Sequence, residues 1–255
     1  MRICRYSHPK FPLPFYGSIE DDEILVLDDV FGDELTKNFN SQSLPLEEVK
    51  LLAPVAPSKI VCVGRNYADH AHELGNAVPT EPLLFLKAPS SIITHGETIE
   101  LPSASSRVEH EGELAVVIGR RARCITADEN PFNYVLGYTC LNDVTARDLQ
   151  KKDVQFTRGK SFDTFCPVGP FIVTDLDPSA LALETRVNGE ARQRGNTRDM
   201  IFPVAHLLRY ISEHMTLEAG DLIATGTPAG VGPLCSGDTV EVKIEGIGTL
   251  RNTVR

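Results

Sequence analysis

Short apolar runs separated by Gly, Pro, Asp and Asn dominate the chain from Lys59 onward. KIVCVG, LLFLK, ELAVVIG, YVLGYTC, GPFIVTD, LETRVNG, DLIATG and DTVEVKIEGIGTLRNTV are rich in β-branched or aromatic residues. Their length and punctuation predict strands of a mixed or antiparallel architecture. Helical spacing is rarer. In PVAHLLRYISEH, residues 203–214, Val204, Leu207, Leu208 and Ile211 recur at helical intervals, with Pro203 at the predicted first helical position. A second short helix is predicted in NYADHAHELG, stopped by Gly75, and a third in NDVTARDLQKKD, beginning near Asp143. Strands and helices do not alternate regularly, which counts against a doubly wound sheet.

The stretch to about residue 56 reads differently. A strand in GSIEDDEILVLDD is followed by a polar segment and then by LPLEEVKLLAPVAPSK, where Pro54 and Pro57 bracket a linker. A piece of this size is small for independent stability. Residues 1–56 are therefore expected to form a small N-terminal domain packed on a main domain of residues 57–255.

Composition narrows the class. With 42% hydrophobic and 24% charged residues the chain reads as an ordinary globular protein. No run reaches the ~18 apolar residues of a membrane span, and MRICRYSHPKFPLPFYG lacks the continuous apolar core of a secretory signal. A formal net charge of −10 counts against nucleic-acid or anionic-membrane binding through bulk electrostatics. It leaves room for a small anionic substrate met by local Lys and Arg. The six cysteines form no C-x-x-C pair and are expected to serve as small hydrophobes in a reduced, cytoplasmic protein.

Candidate chemistry begins at Glu111 and Glu113 in EGELAVVIG. Strand alternation puts both carboxylates on one face. Either that face is solvated, or a hard divalent cation such as Mg²⁺ neutralises the pair and keeps positions open for water or substrate. Asp143, Arg147 and Gln150 are spaced to share one helix face. They form either a surface Asp–Arg pair, or a third ligand with two groups reaching an anionic or carbonyl oxygen, Arg in bidentate fashion.

His70 and Glu73 lie three apart on the second predicted helix, with His72 off their shared face. They are either polar residues of an exposed helix or a general base, since a carboxylate beside an imidazole orients it and stabilises its cation. Gly75, Pro79 and Pro82 would bound a flap of the kind that closes over an active site. Lys160 is either a surface lysine or an inward charge for an enolate or carboxylate. In TGTPAGVG, residues 225–232, Thr227 and the N–H groups around Gly226 and Gly230 either cradle a carboxylate or serve a tight turn.

In order along the chain, VGRNYADH, LFLKAPSSI, HEGELAVVIG, GYTCLNDVTARDLQ, GKSFDTFCPVGPFI, VNGEARQRGNTRDMIF and GDLIATGTPAGVG resemble the fumarylacetoacetate hydrolase family over roughly residues 59–253. The resemblance implies a β-rich α+β fold, a mixed β-sandwich roll, usually as a homodimer. It implies a Mg²⁺ or Mn²⁺ site, with Ca²⁺ as a substitute, built from Glu111, Glu113 and Asp143. It implies substrate contacts from Arg147, Gln150, Lys160 and Thr227, and Arg65 of the first string is counted with them. His70 and Glu73 match the lid dyad of the acylpyruvate hydrolase and oxaloacetate decarboxylase branch, with Lys160 as a third catalytic candidate.

The implied activity is hydrolysis or decarboxylation that breaks a C–C bond in a small 2-oxo or 2,4-dioxo acid, such as an acylpyruvate or oxaloacetate. The cation would stabilise the enolate that forms. The same site suits isomerases, decarboxylases or hydratases acting on 2-hydroxy-dienedioate intermediates of aromatic catabolism. A non-catalytic 2-oxo-acid-binding protein is the alternative of another class, and the His70–Glu73 pair speaks against it because binding needs no base.

Overall fold

In the computed structural model, which describes residues 1–9, 13–27, 30–31 and 39–255, the apolar runs become strands with two buried faces. KIVCVG forms the strand Ile60–Gly64 and ELAVVIG the strand Gly112–Ile118. Val61, Val63, Leu114, Val116 and Ile118 enter one core cluster. Their alternates Ile60, Cys62, Ala115 and Val117 enter another. A strand covered on both sides has no polar face, which is why these runs are continuously apolar rather than alternating.

The large sheet runs in the order Phe39–Pro45, Glu23–Leu27, Phe15–Glu20, Arg2–Ser7, Cys166–Val173, Val135–Asn142, Gly112–Ile118, Leu222–Ala224, Ile60–Gly64 and Leu83–Lys87. Leu222–Ala224 and Ile60–Gly64 pair in parallel, while the other neighbours along this path are antiparallel. A second sheet, centred on Ala182–Val187 and Thr239–Ile244, and the helix Val204–His214 cover one face. Leu183, Val242 and Ile244 from the sheet and Leu207, Leu208 and Ile211 from the helix share a core with Leu114 and Val116. On the other face Ile3, Leu27 and Val30 of the N-terminal domain pack with Ile60, Cys62 and Leu222. The expected β-rich α+β fold with a small N-terminal domain is what the chain adopts.

Three local expectations change. GSIEDDEILVLDD forms not one strand but a hairpin of Phe15–Glu20 and Glu23–Leu27, with Glu20 opposite Glu23. Asp21 turns it at φ 52, a left-handed conformation that a short Asx residue tolerates. The polar segment expected next lies largely outside the described residues. The third helix starts at Arg147, not near Asp143, and spans Arg147–Lys152. Strand-type bonds hold the intervening backbone: Asp143 N–H donates to the Glu111 carbonyl at 2.8 Å and Val144 N–H to that of Phe165 at 3.1 Å. Thr145–Ala146 then pairs with Val108–Glu109, so tertiary pairing overrides helix propensity there. The helix at 203–214 is present as Val204–His214, with Pro203 just outside as its N-cap.

Leu207 is fully buried between helix and sheet. Leu207→Ala is expected to lower the unfolding free energy by about 2–5 kcal/mol. Urea denaturation followed by circular dichroism measures this, and a loss under about 1 kcal/mol would place Leu207 outside the cooperative core.

Candidate metal centre and its cavity

Glu111 sits at the break between the strands Val108–His110 and Gly112–Ile118. Its N–H donates to Asn142 Oδ1 at 2.9 Å, and its carbonyl accepts from Asp143 N–H. This double tie draws the end of the Val135–Asn142 strand against the Glu111 corner. A Cβ on Gly112 would lie 2.1 Å from Thr185 Oγ1, so the corner needs glycine to pack against the second sheet. Carboxylate oxygens of Glu111, Glu113 and Asp143 come within 4.8 Å of one another, and all three side chains are buried. The sequence reading of a shared helix face for Asp143, Arg147 and Gln150 is thus corrected. Asp143 reaches the cluster from a strand end, while Arg147 and Gln150 lie on the helix, where Arg147 Nη1 donates to Gln150 Oε1 at 2.6 Å.

Three buried cations surround the cluster. Lys160 Nζ lies 2.7 Å from Glu111 Oε2 and 2.5 Å from Asp143 Oδ2. Lys87 Nζ lies 2.6 Å from Asp143 Oδ1. Arg147 pairs with Glu111 and, through Nε at 2.6 Å, with Glu109. The alternative of a surface Asp143–Arg147 pair therefore fails, and Lys160 points inward, onto Glu111 and Asp143. Against these cations stand four buried carboxylates, those of Glu109, Glu111, Glu113 and Asp143.

Glu109 also pairs with the exposed Arg107, whereas Glu113 has no ion-pair partner among the described residues, and its carboxylate accepts the Gly226 N–H at 2.8 Å. Burial, reinforced by Asp143 and Glu111, pushes its carboxyl well above the usual range. Burial would also lift Glu111, but Lys160 and Arg147 outweigh it and hold that carboxyl well below the ordinary value. An all-oxygen donor set with one uncompensated carboxylate suits a hard divalent cation. The residues present therefore fit the Mg²⁺ or Mn²⁺ that the resemblance implied.

Arg65, His70, Arg147, Gln150, Lys160 and Thr227 line one cavity of about 370 Å³ together with the three carboxylates. Glu73 is tied to that cavity through His70, whose Nδ1 lies 3.3 Å from Glu73 Oε2. The helix Ala68–Glu73 carries both, with Gly75 at φ 69 beyond its end. The Gly230 N–H donates to both oxygens of Glu73, at 3.0 and 3.1 Å. The N–H groups read as a cradle for a ligand carboxylate thus hold the protein's own Glu113 and Glu73.

Four residues that sequence reading missed complete the site. Lys87 closes the apolar run LLFLK, where a buried charge has no local signal. Glu109 was legible, because it precedes Glu111 and Glu113 with the same two-residue period. Asn66, fully buried, accepts Phe202 N–H at 2.8 Å and donates to the Thr225 carbonyl at 2.8 Å, pinning the 225–230 loop. Gln193 accepts Gly112 N–H at 2.9 Å and donates to Thr227 Oγ1 and the Pro228 carbonyl at 2.7 and 2.8 Å. It is fully buried and joins the Glu111 corner to that loop. Among the cysteines, Cys4, Cys62, Cys140 and Cys166 are buried and behave as small hydrophobes. Burial pushes the thiols of Cys4, Cys140 and Cys166 up to about 12.

Residues 59–255 match the model of the fumarylacetoacetate hydrolase C-terminal family, and the chain belongs to that family. Residues 1–54 match a family described as Rv2993c-like, N-terminal. The chain is 48% identical over 224 residues to oxaloacetate tautomerase YisK of Bacillus subtilis, covering 82% of this chain and 74% of that protein. It is 48% identical over 198 residues to the mitochondrial oxaloacetate decarboxylase of Dictyostelium discoideum, covering 75% and 90%. A crystal structure of 5-carboxymethyl-2-hydroxymuconate delta-isomerase from Mycobacterium smegmatis superposes with a TM-score of 0.91 at 46% identity, covering 100% of this chain and 99% of that one.

A raised carboxyl sets the pH dependence. Glu113 binds its proton more tightly in the folded chain than in the unfolded one, at ~4.3. Its contribution to metal-free stability therefore falls as pH rises above that value. A cation needs the carboxylate, so loading expels the proton and affinity rises with pH. Calorimetric Mn²⁺ titrations in buffers of different ionisation enthalpy are expected to show release of about one proton and weaker binding at lower pH. Proton-neutral, pH-independent binding would contradict this account of Glu113.

Proposed function

We propose that this chain is a Mg²⁺- or Mn²⁺-dependent enzyme that breaks or rearranges bonds beside the carbonyl of small 2-oxo acids, oxaloacetate and acylpyruvates foremost. The observation that carries the reading is the meeting, in one cavity, of a buried carboxylate cluster with a His70 that Glu73 holds from behind. A bound divalent cation supplies Lewis-acid polarisation of the 2-oxo group and stabilises the charge that develops on its oxygen. Arg147 and Gln150 bind and orient the substrate's carboxylate end. Lys160, 2% exposed, adds a fixed positive charge on the same side of the cavity. The apolar walls Val63, Leu83 and Phe85 exclude bulk water, which strengthens each of these interactions.

His70 handles the proton. In hydrolysis its free ring nitrogen takes a proton from water attacking the distal carbonyl, while Glu73 stabilises the imidazolium through Nδ1. In enol–keto exchange the same nitrogen moves a proton at C3. Decarboxylation needs no attacking water, because the electron pair of the breaking bond passes directly into the enolate. Relatives named as an oxaloacetate tautomerase and an oxaloacetate decarboxylase support an enolate as the common element.

Turnover of oxaloacetate, an acylpyruvate and an unsaturated hydroxy-diacid, each with Mg²⁺, Mn²⁺ or chelator, tests the proposal. Metal-dependent turnover of at least one is expected. Cation-dependent melting shifts without turnover of any would instead favour a binding protein. His70→Ala is expected to cut hydrolysis or tautomerisation by about 10²–10⁴-fold and decarboxylation far less. Equal losses in all three would remove His70 from the proton transfer.

A further inference from the structure

The strand pattern breaks at Glu111, and the break sends Glu109 away from the cavity. Val108–His110 belongs not to the large sheet but to a three-stranded one, between Thr145–Ala146 and Gly232–Pro233. Val108 pairs with Ala146 and Glu109 with Thr145. The ladder gains one more bond, from Arg147 N–H to the Arg107 carbonyl at 2.8 Å, so two arginines come to lie opposite each other. Like charges that face each other across a strand pair are destabilising. Glu109 separates them. One of its oxygens accepts the Arg107 Nε–H, and the other accepts the Arg147 Nε–H at 2.6 Å.

The two arginines differ in their surroundings. The Arg107 side chain is 58% exposed, so its pair with Glu109 is worth little. Arg147 and Glu109 are both buried, and of the two only Arg147 lines the cavity. Around the Arg147 guanidinium, Nε–H goes to Glu109, one Nη1 N–H to Gln150 Oε1 at 2.6 Å and one Nη2 N–H to Glu111. Two of the five guanidinium N–H groups are left over, one on each terminal nitrogen. Nε–H lies in the guanidinium plane, so the carboxylate that holds it sets the direction of the remaining pair. Glu111 is a weaker guide, because Lys160 holds its other oxygen and a cation in the cluster would draw on the same carboxylate. Glu109 carries no such second task inside the cavity.

We propose that Glu109 is a positioning residue that, from outside the cavity, holds the Arg147 guanidinium in the orientation that binds the carboxylate of a 2-oxo acid. This rests on the proposed 2-oxo-acid chemistry and on the role given there to Arg147, and it adds a residue that the substrate does not touch. Charge alone argues the other way. Removing a buried negative charge near the cavity favours an anion, so a purely electrostatic role predicts tighter binding without Glu109. Positioning predicts weaker binding, since a displacement of about 1 Å in an orienting group costs on the order of 10²-fold.

The test uses Mn²⁺-loaded protein and oxalate, a planar mimic of the carboxylate and oxo oxygens of a 2-oxo acid. Wild type is compared with Glu109→Gln, which keeps the shape of the side chain and removes its charge. Calorimetry is expected to show oxalate binding weakened about 10–100-fold and Mn²⁺ binding changed by less than about threefold. For the 2-oxo acid that the wild type turns over, KM is expected to rise by the same factor while kcat stays within about threefold. Arg107→Ala keeps the Nε bond of Arg147 and is expected to leave oxalate binding within about threefold. In an Arg147→Lys background, where no Nε–H remains, Glu109→Gln is expected to weaken oxalate no further. Should Glu109→Gln fail to fold, Glu109→Asp keeps the charge and draws the carboxylate back by one methylene, with the same weakening expected. Unchanged or tighter oxalate binding, an equal loss of Mn²⁺ affinity, a loss as large in Arg107→Ala, or a further loss in the Arg147→Lys background would overturn the role of Glu109. A wild type that binds no oxalate in the presence of Mn²⁺ would overturn the reading of the site itself, and this assignment with it.

Discussion

Four buried carboxylates meet at the centre of this protein among three buried cations and the exposed Arg107, and the surrounding structure is arranged to hold them in place. Burying one unpaired charge is unfavourable by several kcal/mol, so the fold can keep Glu109, Glu111, Glu113 and Asp143 together only by fixing their partners. Arg147 bridges Glu109 and Glu111, Lys160 bridges Glu111 and Asp143, and Lys87 anchors Asp143 from the end of the strand Leu83–Lys87. Glu113, which has no ion-pair partner among the described residues, lies on the side of the cluster nearest the 225–230 loop and accepts its Gly226 N–H.

The two-sided core explains why such a cluster can be rigid. Gly112–Ile118 is covered on one face by the second sheet and the Val204–His214 helix, and on the other by the N-terminal strands. Close-packed surroundings on both sides leave the carboxylate-bearing corner little room to relax. Gln193 extends that rigidity outward. From the second sheet it binds both the Glu111 corner and the loop of Thr227, and that loop in turn binds Glu73. The second sheet, the cation cluster and the dyad are thereby linked by consecutive hydrogen bonds. Family membership, shown over residues 59–255, places this arrangement among enzymes whose named relatives act on 2-oxo and hydroxymuconate acids.

Much of the fold was legible because the apolar runs are short, β-branched and cleanly punctuated, and both helices with a clear local signal formed. The failure at Asp143 is instructive. Residues 143–152 carry helical spacing, yet the first four are taken up by pairing with Glu111, Phe165 and the Val108–His110 strand. Those partners lie far away along the chain, so no local pattern announces them. The same reason hid Lys87, Asn66 and Gln193: a polar residue in a run gives no sign of whether its partner lies across the core. Glu109 was a different case, since its period with Glu111 and Glu113 was visible and only its burial was not.

The sequence by itself determined the kind of chain this is and its family. Alternation, turn residues and ordered motifs specified a β-rich fold and marked Glu111, Glu113, Asp143, His70, Glu73 and Lys160 as candidates, the first three as a set only through the family resemblance, while spacing alone left Lys160 open between surface and interior. The tertiary structure decided which charges cancel and which remain. It spent the Gly226 and Gly230 amides on Glu113 and Glu73 and buried Arg147 against Glu109 and Glu111. Charge compensation is a property of distance in space, and the groups that compensate one another here are up to about 160 residues apart in sequence.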